Sequence, residues 1–333
     1  MPLLSIMSES SRAKRVAPAS HRGGNVGTPV ANTEQQTRPW PDIATLARNF
    51  GERPDISARS VLVTIFGDSV VPTGGEVWLG ELIGLCEPFG INDRLVRTSM
   101  FRLGADGWFD TERVGRRSRY RLTPSAIAEF AAADERIYGA ASTGWDGTWT
   151  MVFIDAVTNR SARDRLALAL RRRGFTEWSA TTMATVHPRG PHTAAELTAQ
   201  HHRDSPVPVA NVRFQNLDEL IAAGWPLGGF GLEPLAGRYR DLIERHGWAA
   251  TPPPSSPSDR DAFLTRTMLV HDLRRVRLAD PDLPEPLWPP DWPAPEVLRR
   301  LGAAYHLLSP GAWRWVQANC DSATKPRPLR RFR

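Results

Sequence analysis

Apolar residues between positions 57 and 107 recur at helical spacing in three successive segments. The second segment, WLGELIGLCEPFG, ends at Pro88 and Gly90. The third begins at Asn92, a residue type that caps helices well, and ends before Gly107. The pattern therefore predicts three consecutive helices, of which the third spans Asn92 to Asp106.

Two short strands are predicted after the third helix. Phe109 to Thr123 contains two β-type segments around a Gly-Arg-Arg-Ser tip, which is typical of a hairpin. Another helix is predicted from Thr123, with Pro124 in its first turn. Three helices followed by a two-stranded hairpin is the order of a winged helix-turn-helix, which we assign to residues 57–140.

The predicted third helix has two chemically different faces at 100° per residue. One face, expected to pack on the preceding helices, consists of Leu95, Val96, Ser99, Met100 and Leu103. The opposite face carries Arg94, Arg97, Thr98, Phe101 and Ala105, with Arg102 on its border. A helix with such an exposed face can enter the major groove of DNA, where arginine donates to guanine or phosphate.

Basic charge is concentrated on this helix and the hairpin. Asn92 to Arg121 holds eight arginines and four acids, whereas Ser57 to Ile91 holds one arginine and four acids. The whole chain has 333 residues and a formal net charge of +6, and 40 of its 42 basic residues are arginine. Net charge alone permits a nucleic-acid partner, and its local concentration favours one.

The remainder of the chain predicts two further units and two tails. Alternating strand and helix patterns in 145–215 follow the order βαββαβ, which predicts a small ferredoxin-like sheet. Residues 217–322 predict four helices and a mostly helical domain for effector binding and dimerisation. Residues 1–56 are expected to form a disordered basic tail, and 323–333 a frayed basic tail. The predicted fold class is thus α+β.

Several segments together resemble the PaaX-like family of repressors of phenylacetate catabolism. They are LVTIFGD, GGEVWLG, the VRTxxxRLxxxGW helix, the GRRSRYRLT hairpin, WDGTWTMVFID and RDRLALALRRRGF. The resemblance is weaker in LEPLAGRYRDLIE and LVHDLRRVRLADPDLP, and covers roughly residues 57 to 305.

The resemblance implies a homodimeric repressor that binds a palindromic double-stranded operator. It also implies release by an aryl-acyl-CoA effector such as phenylacetyl-CoA, and a nucleoid-associated, cytoplasmic location. The residues expected to bind DNA are Arg94, Arg97, Thr98, Arg102, Arg113, Arg116, Arg117, Ser118 and Arg119. The effector site is not identified by sequence, although the tryptophans of the C-terminal half are candidates for lining a pocket.

Two other functions are alternatives to the repressor. The family's central domain is similar to the small ferredoxin-like nuclease of CRISPR adaptation. That nuclease has an aspartate that can hold a metal at the end of its first strand, where this chain has Asp155. A metal-dependent nuclease is therefore the first alternative. One carboxylate is too few for a two-metal site. A winged-helix module that binds protein instead of DNA is the second alternative.

Metal, cofactor and membrane sites are not expected. The cluster His187, His192, His201 and His202 lacks the spacing of a zinc site, and Cys86 and Cys320 fit no redox pair. The chain contains no nucleotide-binding or nucleophile motif of recognised pattern and no apolar run long enough to span a bilayer. We therefore expect neither an enzyme nor a cofactor.

Overall fold

The computed structural model describes residues 40–139, 145–201, 206–222, 230–252, 256–327 and 331–332. Eleven α-helices and seven strands lie within these ranges. The α-helices are α1 Ile43–Glu52, α2 Ala58–Ile65, α3 Leu79–Cys86, α4 Asp93–Ala105, α5 Pro124–Tyr138, α6 Arg160–Arg172, α7 Gly190–His201, α8 Leu217–Ala222, α9 Leu232–His246, α10 Asp259–Arg277 and α11 Ala294–Asn319. The strands are β1 Glu76–Trp78, β2 Phe109–Val114, β3 Arg117–Leu122, β4 Thr148–Phe153, β5 Thr176–Ser179, β6 Thr182–Thr185 and β7 Val209–Arg213. The chain is therefore an α+β protein, as predicted.

The first unit contains a three-stranded antiparallel sheet, whose first strand, β1, precedes α3 and was not predicted from the sequence. Helix α2 continues into a π-helical turn, Phe66–Val70, before β1. The sheet order is β1-β3-β2, so the hairpin strand β3 is the central one. Helix α5 begins where predicted, with the Thr123 hydroxyl accepting a hydrogen bond from the Ala126 amide at 3.3 Å.

The central unit has the predicted element order, β4-α6-β5-β6-α7-β7. Its four strands lie in the order β5-β6-β4-β7, with every described pair antiparallel. Leu166 and Leu170 of α6 and Leu197 of α7 are buried against one face of this sheet. On the other face, Trp149 packs with residues that include Leu287 from the α10–α11 connection.

The first unit and the C-terminal helices share one core, although the sequence suggested separate domains. Residues from α2, α4 and α5 belong to the same buried cluster as residues from α9, α10 and α11. Phe89 illustrates this arrangement, since its ring lies 6.3 Å from the Phe263 ring of α10. Helix α10 is consequently buried along most of its length.

The predicted N-terminal disorder is wrong for α1. Asp42 caps this helix, and Ile43, Ala47 and Phe50 are buried at helical spacing against the shared core. Apolar burial on one helical face outweighs the polar composition of the surrounding tail. Residues 1–39 lie outside the described part of the chain.

The predicted fraying of 323–333 is also wrong for the described part of that segment. The Thr324 amide donates to the Thr73 carbonyl at 2.7 Å, and the Arg327 amide donates to the Pro72 carbonyl at 3.0 Å. Arg331 is buried, and the Phe332 amide donates to the Tyr138 carbonyl at 3.0 Å. The C-terminal segment is thereby tied to the first unit by charge and by backbone hydrogen bonds.

Candidate nucleic-acid interface

Helix α4 is fixed by its cap and by its apolar face. The Asn92 side chain accepts a hydrogen bond from the Leu95 amide at 3.0 Å. The residues buried from this helix are Val96, Ser99, Met100 and Leu103. Leu95 was predicted to be buried with them but is 47% exposed, because it lies about 90° from the centre of the buried face.

The opposite face of α4 is exposed, as its helical spacing predicted. Arg94, Arg97, Thr98 and Arg102 all lie in solvent, and Phe101 among them is 77% exposed. No other side chain of the described residues covers the Phe101 ring. The face therefore presents three guanidinium groups around one apolar ring.

The polar groups of this face differ in their present partners. Arg97 forms an ion pair with Asp93 at 2.5 Å, and the Thr98 hydroxyl donates to the Arg94 carbonyl at 2.8 Å. Within the described residues, the guanidinium groups of Arg94 and Arg102 have no hydrogen bond or ion pair. Those two arginines are the ones free to bind an external acceptor without breaking a contact.

The four hairpin arginines predicted to bind DNA fall into a free pair and a held pair. Gly115 turns the hairpin with φ of +60°, a left-handed conformation that suits glycine. Arg113 and Arg116 are exposed beside it and have no ion pair in the described part of the chain. Arg117 instead lies 4.3 Å from the Trp78 ring, and Arg119 pairs with Glu112 at 2.5 Å.

The held arginines connect the hairpin to β1, to α3 and to the segment after α11. Arg117 also lies 3.8 Å from Glu81 and 3.7 Å from Asp321, which follows α11. Arg119 lies 3.6 Å from Glu76 of β1, and the hydrogen bond with Glu112 raises the pKa of the Arg119 guanidinium. Sequence spacing grouped these residues with the tip arginines, because it does not reveal which acids the fold brings beside them.

The exposed face of α4 and the hairpin are neighbours. Burial raises the pKa of Tyr120 in β3, and the nearby Arg97 charge opposes that rise. The chain between them is short and ordered, with the Trp108 amide donating to the Leu103 carbonyl at 3.0 Å. Ser118 is half-buried and pairs with Arg113 across the hairpin. The helix face and the hairpin tip are both exposed and basic, and they belong to the same unit.

The candidate metal-binding residues do not lie together in the described part of the structure. Asp155 is exposed in the short turn after β4, and no group of three or more potential metal-binding side chains occurs among the described residues. His202 lies outside those residues, and His187 accepts a hydrogen bond from the Arg189 amide at 3.1 Å. Cys86 and Cys320 are both buried free thiols, and burial raises the pKa of Cys320 to about 12. Among the helices that the structure describes, none is both long and apolar enough to cross a membrane.

Comparison with known proteins connects this architecture to one family. Residues 57–126 match the PaaX-like protein model, and residues 230–318 match the PaaX-like protein C-terminal domain model. The chain is 28% identical over 285 residues to the "Transcriptional repressor PaaX" of Escherichia coli (strain K12), an alignment that covers 82% of this chain and 87% of that protein. It also matches a solved structure of an uncharacterized protein from Mycobacterium tuberculosis, with 22% identity, a TM-score of 0.48, and coverage of 79% of this chain and 98% of that chain.

The two family models match in order along the chain, and the first contains both α4 and the hairpin. The alignment with the E. coli protein covers most of both chains, including the central unit that neither model matches. Two segments of the chain are therefore similar to PaaX-like proteins, and the chain as a whole is similar to the E. coli repressor.

Proposed function

We propose that this chain is a DNA-binding transcriptional repressor of a catabolic operon. The observation that carries the proposal is the exposed basic surface of α4 and the hairpin tip, where Arg94, Arg102, Arg113 and Arg116 have no partner within the described residues. A relative whose name is "Transcriptional repressor PaaX" supports the same role. Arginines in a helix that enters the major groove can donate to guanine, and arginines beside it can bind phosphates.

The proposal assigns a winged helix-turn-helix to the first unit. Its element order, α2-β1-α3-α4-β2-β3 with sheet order β1-β3-β2, supports α4 as the DNA-reading helix and the hairpin as the wing. We assign base or backbone contacts to Arg94, Arg97, Thr98 and Arg102, and phosphate contacts to Arg113 and Arg116. Arg117, Ser118 and Arg119 are assigned to the border of the DNA surface, since the two arginines already have internal acidic partners.

The finer parts of the proposal concern assembly and control. We propose a homodimer on a palindromic operator, because a two-fold protein reads two half-sites on opposite ends of the site. The central unit is proposed to be ferredoxin-like, supported by its strand order. The effector is proposed to be an aryl-acyl-CoA such as phenylacetyl-CoA, and the protein is proposed to act on the nucleoid in the cytoplasm. Repression of phenylacetate catabolism would then end when phenylacetyl-CoA accumulates.

A gel-shift titration on the promoter region of the chain's own gene tests the proposal. The expected result is a sharp shift at low protein concentration that phenylacetyl-CoA reverses and that rising salt weakens. A sharp shift that phenylacetyl-CoA leaves unchanged would retain the repressor and reject the effector. No shift at low salt would reject DNA binding and would favour the protein-interaction alternative.

A further inference from the structure

A cleft of about 530 Å³ lies where the end of the first unit meets the C-terminal helices. It is bounded by the end of α5, the α10–α11 connection and the first turns of α11. Most of its lining is apolar, and the larger side chains are Tyr138, Leu283, Trp288, Trp292, Leu298 and Phe332. This volume and chemistry are those of a small-molecule site.

The aromatic walls are held in place by contacts of their own. The Trp288 indole donates to the Leu283 carbonyl at 2.6 Å. The Trp292 ring meets the Tyr239 ring edge-on at 5.8 Å, and the Phe332 ring meets the Tyr138 ring edge-on at 5.3 Å. A cleft with fixed aromatic walls suits a flat apolar group, since little side-chain ordering is needed when that group binds.

One charged group in the lining has a donor without a partner. Arg277 is 4% exposed; its guanidinium contacts Asp280, Asp282 and the Gly139 carbonyl at 3.3–3.5 Å and is also hydrogen-bonded to Tyr239. Its Nε has no hydrogen-bond partner among the described residues. Buried guanidinium groups ordinarily make shorter, better aligned bonds, so Arg277 is the lining group best suited to an additional acceptor oxygen. Two neighbouring arginines of α10 are already engaged, because Arg274 donates to Thr64 and Arg275 pairs with Asp55.

Backbone strain is concentrated around the same cleft. Within the described residues, positive φ occurs outside glycine at Asp282, Asp291 and Phe332, with values of 56°, 58° and 53°. Asp282 and Phe332 line the cleft, and Asp291 adjoins Trp292. Strained residues of this kind persist where surrounding structure holds them and are frequent at ligand sites.

We propose that this cleft binds a small molecule with a flat aromatic body and an acyl or carboxylate oxygen directed at Arg277. The assignment of this molecule as the effector rests on the proposed function. The cleft is open on one side, where Arg299 and His306 are exposed, so an acyl group inside it can carry a larger thioester portion outside.

The C-terminal segment connects the cleft to the DNA-binding unit. Phe332 packs over the cleft, and the preceding Arg331 pairs with Asp68 at 2.8 Å and also with Asp134. Asp68 lies in the turn that continues α2, and Asp134 lies in α5. A ligand that displaces Phe332 therefore acts directly on contacts that hold the helices beside α4.

Isothermal titration calorimetry with phenylacetyl-CoA and with phenylacetate tests the cleft. Ala303 is exposed on α11 and lines the cleft, so Ala303→Phe fills the space without removing a buried group. Ala131→Phe places the same bulk on an exposed position of α5 outside the cleft and serves as the matched control. If Ala303→Phe lowers the melting midpoint, Ala303→Leu replaces it.

The expected result is that Ala303→Phe weakens binding of the probe at least tenfold, while Ala131→Phe binds as the wild type does. Both variants are expected to retain DNA binding without effector, and only Ala303→Phe should resist release. Equal binding by Ala303→Phe and the wild type would overturn the cleft assignment. If neither probe binds in calorimetry while the protein still shifts DNA, the cleft assignment would be overturned as well. The repressor role would stand in that case. Loss of the gel shift itself would overturn the proposed function independently.

Discussion

Replacing Asp68 with asparagine should destabilise the joint between the first unit and the C-terminal helices more than any surface substitution. Asp68 is 2% exposed and lies between two buried arginines. Its carboxylate pairs with Arg266 at 2.9 Å and with Arg331 at 2.8 Å. It also accepts hydrogen bonds from Tyr138 at 2.9 Å and from Tyr305 at 3.1 Å.

The size of the effect follows from what remains after the change. Asparagine keeps the shape and one acceptor oxygen but leaves Arg266 and Arg331 as two buried cations without the carboxylate charge between them. Breaking a buried ion pair on one side costs about 3–5 kcal/mol of unfolding free energy. Removing a cation as well relieves part of that cost, so the double variant Asp68→Asn, Arg266→Met should lose less than the sum of the single variants.

Urea unfolding followed by tryptophan fluorescence measures this loss. Asp259→Asn is the control, because Asp259 pairs with Arg314 at the surface and its removal should leave the midpoint almost unchanged. A loss of less than about 1 kcal/mol for Asp68→Asn would refute the role of the buried pair. Additive losses in the double variant would refute the electrostatic explanation while leaving a packing role.

Three further predictions concern the wing, the buried histidine and the alternative activity. Arg116→Ala should weaken binding to all duplexes and reduce the slope of log affinity against log salt concentration by about 0.9. The control Arg165→Ala, an exposed position on the central unit, should change neither the affinity nor the slope. Fluorescence anisotropy measures both, and an unchanged slope for Arg116→Ala would remove Arg116 from the phosphate contacts. Burial lowers the pKa of His271 from 6.5 to about 4, so the unfolded chain binds the proton first and the unfolding free energy should fall as pH drops from about 6.5 towards 4. His271→Gln should flatten that dependence in urea titrations at several pH values, and identical profiles for variant and wild type would contradict the assignment. Labelled operator DNA incubated with Mg²⁺ or Mn²⁺ should stay intact, and cleavage that Asp155→Ala abolishes would replace the repressor with the nuclease alternative.

Local sequence patterns were sufficient for α4 and the hairpin of the first unit, but they did not predict β1. The Asn92 cap, the apolar spacing of α4 and the Gly115 turn act within a few residues of one another, and each occurs in the structure where predicted. A comparable signal existed for α1, because Asp42 precedes Ile43, Ala47 and Phe50 at helical spacing. Polar composition around it concealed that pattern.

Contacts between distant segments could not be predicted from the sequence. Arg331 pairs with Asp68 across 263 positions, and nothing in the KPRPLRRFR sequence distinguishes that arginine from its neighbours. Arg117 reaches Glu81 and Asp321 only because the fold brings three separate segments together. The cleft around Arg277 is likewise a product of tertiary packing, so composition indicated aromatic candidates without selecting those that line it.

The central claim is that the exposed face of α4 reads DNA, and Arg94 tests it most directly. Fluorescence anisotropy should compare the wild type, Arg94→Ala and the control Arg165→Ala on the operator and on a scrambled duplex at one salt concentration. We expect Arg94→Ala to lose about tenfold or more in affinity for the operator with a smaller loss on the scrambled duplex, and Arg165→Ala to match the wild type. Operator affinity equal to that of the wild type in Arg94→Ala would contradict the assignment of α4 as the reading helix.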